Sequence, residues 1–155
     1  MRKKQKKSWD QRFMEMAKMV SGWSKDLRTG VGCVIVGPDR AIRSIGYNGF
    51  PRGVNDDIEE RQNPPLKYLY TECAERNGIY NSSRIGVSLQ GCTIYINGGS
   101  GFPCTACARA IVQCGITALV GLAPNFENPK YGEEYRNTIE MFQEAGVAFR
   151  SIKAK

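Results

Sequence analysis

The residues in this chain whose types and spacing can do chemistry are three cysteines and a glutamate. Cys104 and Cys107 stand two residues apart in "PCTAC", directly after Pro103, at the start of a predicted helix. That spacing lets two thiolates hold one tetrahedral ion, with Zn–S bonds near ~2.3 Å. About thirty residues earlier, "TECAERNGIY" (residues 71–80) places Cys73 at the start of another helix, where it can add a third thiolate. Helix N-termini favour the thiolate form through their free N–H groups and dipole. Three protein ligands leave a fourth position to water, which is the pattern of a catalytic zinc rather than a closed structural one. Taken alone, the C-x-x-C pair fits a redox motif or half of a structural zinc site equally well. No histidine occurs in the chain, so any such centre is built of sulfur. Cys33, Cys92 and Cys114 read as buried small apolar residues in strands and at a helix end.

The elements that must position these residues follow from the pattern of apolar residues. Phe13, Met16, Ala17 and Val20 fall on one face of a helix predicted over residues 9–24. "VGCVIVG" (31–37) and "AIRSIGY" (41–47) read as two strands joined by "GPDR", hence a hairpin. Residues 48–67, with three prolines and two glycines, form a long loop, and loops of that length are commonly functional or disordered. After the Cys73 helix come a strand at 92–97, a helix at 104–115 ended by Gly115, and a strand at 117–122. A helix over Gly132–Ala145 and a strand at 147–152 complete the chain. Alternating strands and helices in the later half predict a three-layer α/β domain with a mixed sheet.

Length and composition set the remaining bounds. A chain of 155 residues with 41% hydrophobic and 24% charged residues is expected to fold as one domain, residues 9–155. Residues 1–8 are expected to be a basic, disordered tail. Five of the 22 basic residues lie there (Arg2, Lys3, Lys4, Lys6 and Lys7), leaving 17 against 15 acidic ones in the body. The net charge of +7 is therefore mostly a tail property, which argues against a nucleic-acid surface. With no apolar run of membrane-spanning length and no secretory signal, a cytoplasmic location is expected, with the cysteines reduced.

The order "WSKD", "TGVGCVIV", "GYNGFPRG", "KYLYTECAERN" and "PCTAC" resembles the deoxycytidylate deaminases of the zinc-dependent cytidine deaminase superfamily, from Trp9 to Phe149. The resemblance implies a cytidine-deaminase-like fold: a mixed five-stranded sheet with helices on both faces. It implies Zn²⁺ on Cys73, Cys104 and Cys107, and Glu75 as the residue that moves protons from water to the cytosine ring and the leaving ammonia. It also places Asn48 and Ala74 against the nucleoside, with Ser24 and Lys25 near a 5′-phosphate. Gly49, Arg52, Asp56 and Asp57 would form a regulatory site for dCTP or dTTP with Mg²⁺, in a homo-oligomer, hexamer or dimer. Phe102 and Phe126 are the candidates to pack against the base.

One departure is large. Most of that family begins the motif with histidine, whereas "CAER" here matches small cytidine deaminases. Three thiolates around Zn²⁺ sum to −1, which weakens the pull on a water proton. Arg76 is a candidate to offset that excess by donating to a ligand sulfur. The expected reaction is hydrolysis of dCMP to dUMP. The alternatives are deoxycytidine or cytidine, dCTP, a modified cytosine, a nucleic-acid deaminase, and a non-catalytic zinc module.

Overall fold

The computed structural model describes residues 6–152. Residues 1–5 of the expected tail lie outside the described residues. Within the rest of the expected tail, Ser8 caps the first helix by accepting from the Gln11 backbone N–H, while the Gln11 side chain accepts from Ser8 N. Lys7 pairs with Glu15.

Helix α1 spans Trp9–Ser21, three residues shorter than expected, because Gly22 caps it. Strands β1 (Val31–Val36) and β2 (Ile42–Tyr47) form the expected antiparallel hairpin. The long loop is less irregular than its prolines suggest. It contains a 3₁₀ turn, Glu59–Gln62, and ends in a one-turn helix, α2, at Lys67–Tyr70. Helix α3 (Ala74–Ile85), strand β3 (Thr93–Gly98), helix α4 (Thr105–Gln113), strand β4 (Ala118–Gly121), helix α5 (Gly132–Ala145) and strand β5 (Ala148–Ser151) follow.

Among the described residues the sheet has five strands in the order β2-β1-β3-β4-β5. β1 runs antiparallel to both β2 and β3, whereas β3, β4 and β5 are parallel. Successive strand side chains point to opposite faces, and both faces are apolar. On one, Val34, Val36, Tyr95 and Val120 pack against Phe13, Met14 and Ala17 of α1. On the other, Cys33, Ile35, Ile94, Ile96 and Leu119 pack against Ala108, Ile111, Tyr135 and Phe142. This is the expected three-layer arrangement, with α1 on one side and α3, α4 and α5 on the other.

Two close approaches fix α3 on the sheet. A Cβ at Gly46 would lie 2.3 Å from the Ala74 carbonyl oxygen and 2.3 Å from Gly78 N. Only glycine permits that spacing. At the outer edge of the sheet, Asn77 and Asn81, one helical turn apart on α3, donate from their side chains to the carbonyls of Tyr47 and Ile45 in β2.

Candidate active site

The two cysteine motifs fold as the first turns of α3 and α4. Cys73 and Cys104 are the N-cap residues of these helices, each with extended backbone, and Cys107 lies in the first turn of α4. All three sulfurs therefore sit where helical N–H groups are free. Glu134 of α5 steadies α4 by accepting from the backbone N–H and the hydroxyl of Thr105.

The three Sγ atoms lie within 4.8 Å of one another, the one such group among the described residues. Two sulfurs each ~2.3 Å from one ion at the tetrahedral angle are about 3.8 Å apart, so small side-chain adjustments within this cluster bring all three sulfurs onto one cation. Hydrogen bonds from Cys107 and Cys73 drive the Cys104 thiol well below its ordinary pKa, while Cys73 and Cys107, bonded to Cys104, are driven up. The opposed shifts reflect how closely the three sulfurs face one another.

Glu75 is 5% exposed. Burial, reinforced by the charge of Cys104, pushes its carboxyl up to about 7. A carboxyl that gains and loses a proton near neutrality suits general acid–base work.

Arg76 points its guanidinium at Glu72 rather than at a sulfur: Nη2 lies 2.5 Å from Oε1 of Glu72, and Nε is buried without a partner. The expected N–H···S bond is therefore not formed. The same Glu72 oxygen accepts from Cys73 N at 3.0 Å. Arg76 thus steadies the carboxylate that orients the backbone of Cys73, and its charge still acts on Cys73 and Cys107 through space.

Cys73, Cys104, Glu75, Ala74 and Asn48 open on one cavity of about 610 Å³. Asn48 is buried with its amide engaged: Oδ1 accepts from Val31 N at 2.8 Å, and Nδ2 donates to the Thr29 carbonyl and to Asp26. Phe102 lines the cavity but is packed edge-on between Tyr135 and Phe149, so it is chiefly a core residue. Phe126 lies outside the lining, beneath Arg136 in a shallow surface depression.

Ser24 and Lys25 do not line this cavity. The Ser24 hydroxyl donates to the Asn48 carbonyl and accepts from Asp26 N, which makes it a turn residue. Lys25 pairs with Asp56 at 2.9 Å in a separate cavity of about 200 Å³ that Gly49 shares. Arg52 belongs to a third cavity, of about 360 Å³, with Gly49, Tyr80 and Arg84, and bonds Asn81. Asp57 lines neither. Three of the four expected regulatory residues are thus divided between two neighbouring cavities, Asp56 in one and Arg52 in the other, with Gly49 common to both.

Sequence reasoning missed Lys67, Tyr68, Asn128, Tyr131 and Tyr135 in the cavity wall. Lys67 meets Asp26, which also accepts from the backbone N–H of Arg28 and Thr29. At the rim, Lys130 rests 4.9 Å from the ring centres of both Tyr68 and Tyr131. The one signal for this set was the aromatic-lysine composition of "KYLY" and "PKY", on opposite sides of the metal motifs.

Residues 7–123 match the profile of the family described as the cytidine and deoxycytidylate deaminase zinc-binding region. The chain is 41% identical over 143 residues to an uncharacterized deaminase of Aliivibrio fischeri, covering 90% of each chain. It is 34% identical to the deoxycytidylate deaminase of Homo sapiens over 154 residues, covering 95% of this chain and 81% of that one. The fold is similar to that of the dCMP deaminase of cyanophage S-TIM5 solved with dCMP and dUMP (TM-score 0.74, 21% identity, 96% and 100% covered).

Proposed function

The chain belongs to the cytidine and deoxycytidylate deaminase zinc-binding family, and from that premise we propose that it hydrolyses dCMP to dUMP and ammonia. The observation that carries this reading is the placement of Glu75, buried in the wall of one cavity beside three sulfurs that lie within 4.8 Å of one another.

Cys73, Cys104 and Cys107 would hold Zn²⁺, which when bound supplies the Lewis acidity that makes water a nucleophile near neutral pH. Glu75 is placed to carry both protons of the attacking water: the first to N3 of the ring, and the second, released as the C4 carbonyl forms and the C4–N bond breaks, to the departing amine. Asn48 and Ala74 set the pose. The Asn48 amide is locked by Val31, Thr29 and Asp26, and its Oδ1 keeps one lone pair for a ribose hydroxyl. Arg76, through Glu72, holds the backbone that presents Cys73.

Regulation by dCTP or dTTP with Mg²⁺ would use the two smaller cavities around Gly49, which carry Lys25, Arg52, Arg84 and Asp56. A homo-oligomer with a single domain over residues 9–155 and a cytoplasmic location complete the reading. No helix among the described residues is long and apolar enough to cross a membrane.

The test is direct. Zinc-loaded protein is incubated with dCMP and, separately, with deoxycytidine, and formation of the uracil product is followed. Faster turnover of dCMP supports the reading. Preference for the nucleoside moves the chain to the cytidine deaminases that share its "CAER", and no turnover of either sinks the reading.

A further inference from the structure

We propose that Cys33 is a positioning residue for this site: its thiol holds the first turn of α3 at a fixed height above the sheet, and with it Cys73 and Glu75. The inference rests on the reading of the cavity as a deaminase site. Cys33 looks from its surroundings in sequence like any buried small residue of a central strand, and three observations set it apart.

The first is a directed contact. Cys33 is fully buried in β1, and its Sγ donates to the carbonyl oxygen of Ala74 at 3.2 Å. Ala74 stands between Cys73 and Glu75, so this bond reaches the one peptide segment that carries both a sulfur ligand and the proton carrier. The second is the absence of slack. A Cβ at Gly78 would lie 2.7 Å from the Cys33 sulfur, and one at Gly46 would lie 2.3 Å from the Ala74 oxygen. The helix backbone at Gly78 therefore closes on the sulfur directly, and the neighbouring approach of Gly46 to Ala74 leaves the first turn of α3 little room to move. The third is its isolation from the metal cluster, which comprises Cys73, Cys104 and Cys107 without it. Burial, with the charge of Glu75, drives the Cys33 thiol far above its ordinary pKa. It remains a neutral donor at working pH and adds no charge beneath Glu75.

Alanine at position 33 removes both the donor and the spacer. The helix start can then settle or tilt, and shifts of an ångström at a reacting centre are costly. Serine keeps a donor aimed at the same carbonyl. The pair separates positioning from bulk packing.

The experiment compares wild type, Cys33→Ala and Cys33→Ser in two readouts. The first is the rate at which the zinc-loaded protein surrenders its metal to a chromogenic chelator. The second is kcat and KM for deamination. Expected for Cys33→Ala is zinc release about tenfold faster and kcat about tenfold lower, the scale for residues that orient metal ligands, with KM within about twofold. Cys33→Ser is expected to recover most of both. Wild-type zinc release and kcat in Cys33→Ala would overturn the proposal, and so would equal losses in Ala and Ser. Should Cys33→Ala fail to fold, Thr and Val, which match each other in shape, serve as the donor and non-donor pair. If wild type deaminates nothing, the functional reading fails, while the zinc-release comparison still decides whether Cys33 positions the cluster.

Discussion

The ammonium of Lys67 stands 2.7 Å from a carboxylate oxygen of Asp26, with both side chains nearly out of solvent (11% and 7% exposed). Burial opposes the charge on Asp26, but hydrogen bonds from Lys67 and from the N–H groups of Arg28 and Thr29 outweigh it and hold the carboxyl below its ordinary range. The folded state therefore binds this proton less readily than the unfolded chain. The stability that follows is present above about pH 4 and is lost as the pH falls through the folded value. Lys67→Met leaves Asp26 without its cation and is expected to cost about 2–3 kcal/mol at pH 7. Thermal melts from pH 3 to 7 check both claims: the variant curve should lie lower and flatten at the acid end. Equal melting temperatures at pH 7 would remove the pair from the account of stability.

Glu75→Gln keeps the shape of the side chain and deletes its proton chemistry. Turnover is expected to fall by about 10³-fold, within the span assigned to positioned acids and bases, with zinc content retained. In zinc-free protein the sign of the stability effect is opposite to that of Asp26. The Glu75 carboxyl is raised to about 7, so its contribution is present below about pH 4.5 and lost as the pH climbs to 7. Zinc-free Glu75→Gln should therefore melt above zinc-free wild type at pH 8, and the gap should close at pH 4. A non-catalytic zinc module would show the same turnover in both proteins.

Arg76→Gln tests whether the Arg76–Glu72–Cys73 relay matters to the metal. Without the guanidinium, Glu72 loses its partner at 2.5 Å, and the Cys73 N–H it accepts is less firmly oriented. Zinc affinity measured by chelator competition is expected to drop about tenfold. An unchanged affinity together with unchanged kcat would reduce Arg76 to a surface ion pair.

Gly46→Ala probes how tightly α3 is seated. The added Cβ meets the Ala74 carbonyl oxygen and Gly78 N in the first turn of α3, each at 2.3 Å, so strand or helix must move. A loss of about 3 kcal/mol is expected, with weaker zinc binding because the helix that moves carries Cys73. Urea unfolding of the zinc-loaded variant against wild type measures it. A loss below about 0.5 kcal/mol would mean the two backbones part without penalty.

The elements that hold the site were largely legible because their apolar periods are unambiguous. Phe13, Met16, Ala17 and Val20 mark one helix face, and "VGCVIVG" has the unbroken apolar run of a strand covered on both sides. α1 was read three residues too long because Trp23 continued the apolar pattern past Gly22, and a glycine cap is decided by backbone conformation. The turn at Glu59–Gln62 and helix α2 were missed because single turns leave no period to detect. Within the site, the sulfurs and Glu75 were legible through covalent spacing on two helix starts. Lys67 was not, because its approach to Asp26 spans 41 positions and nothing local announces it. That Lys25 faces the smaller cavity beside Asp56 was not legible for the same reason. "WSKD" fixes neighbours along the chain, whereas the cavity each side chain faces depends on how residues 22–30 turn. Cys33 shows the other limit: its strand and its burial were plain, but its contact with Ala74 needs the helix to be in place.

Asn77 and Asn81 have a consequence of a different kind. β2 is a border strand, and its outward carbonyls would otherwise offer a template to any extended segment that came near. Because the side chains of α3 already occupy the carbonyls of Ile45 and Tyr47, that border resists fibrous self-association. The guard is mounted on the same helix that begins with Cys73, so loss of metal that loosened α3 would also unlatch the border.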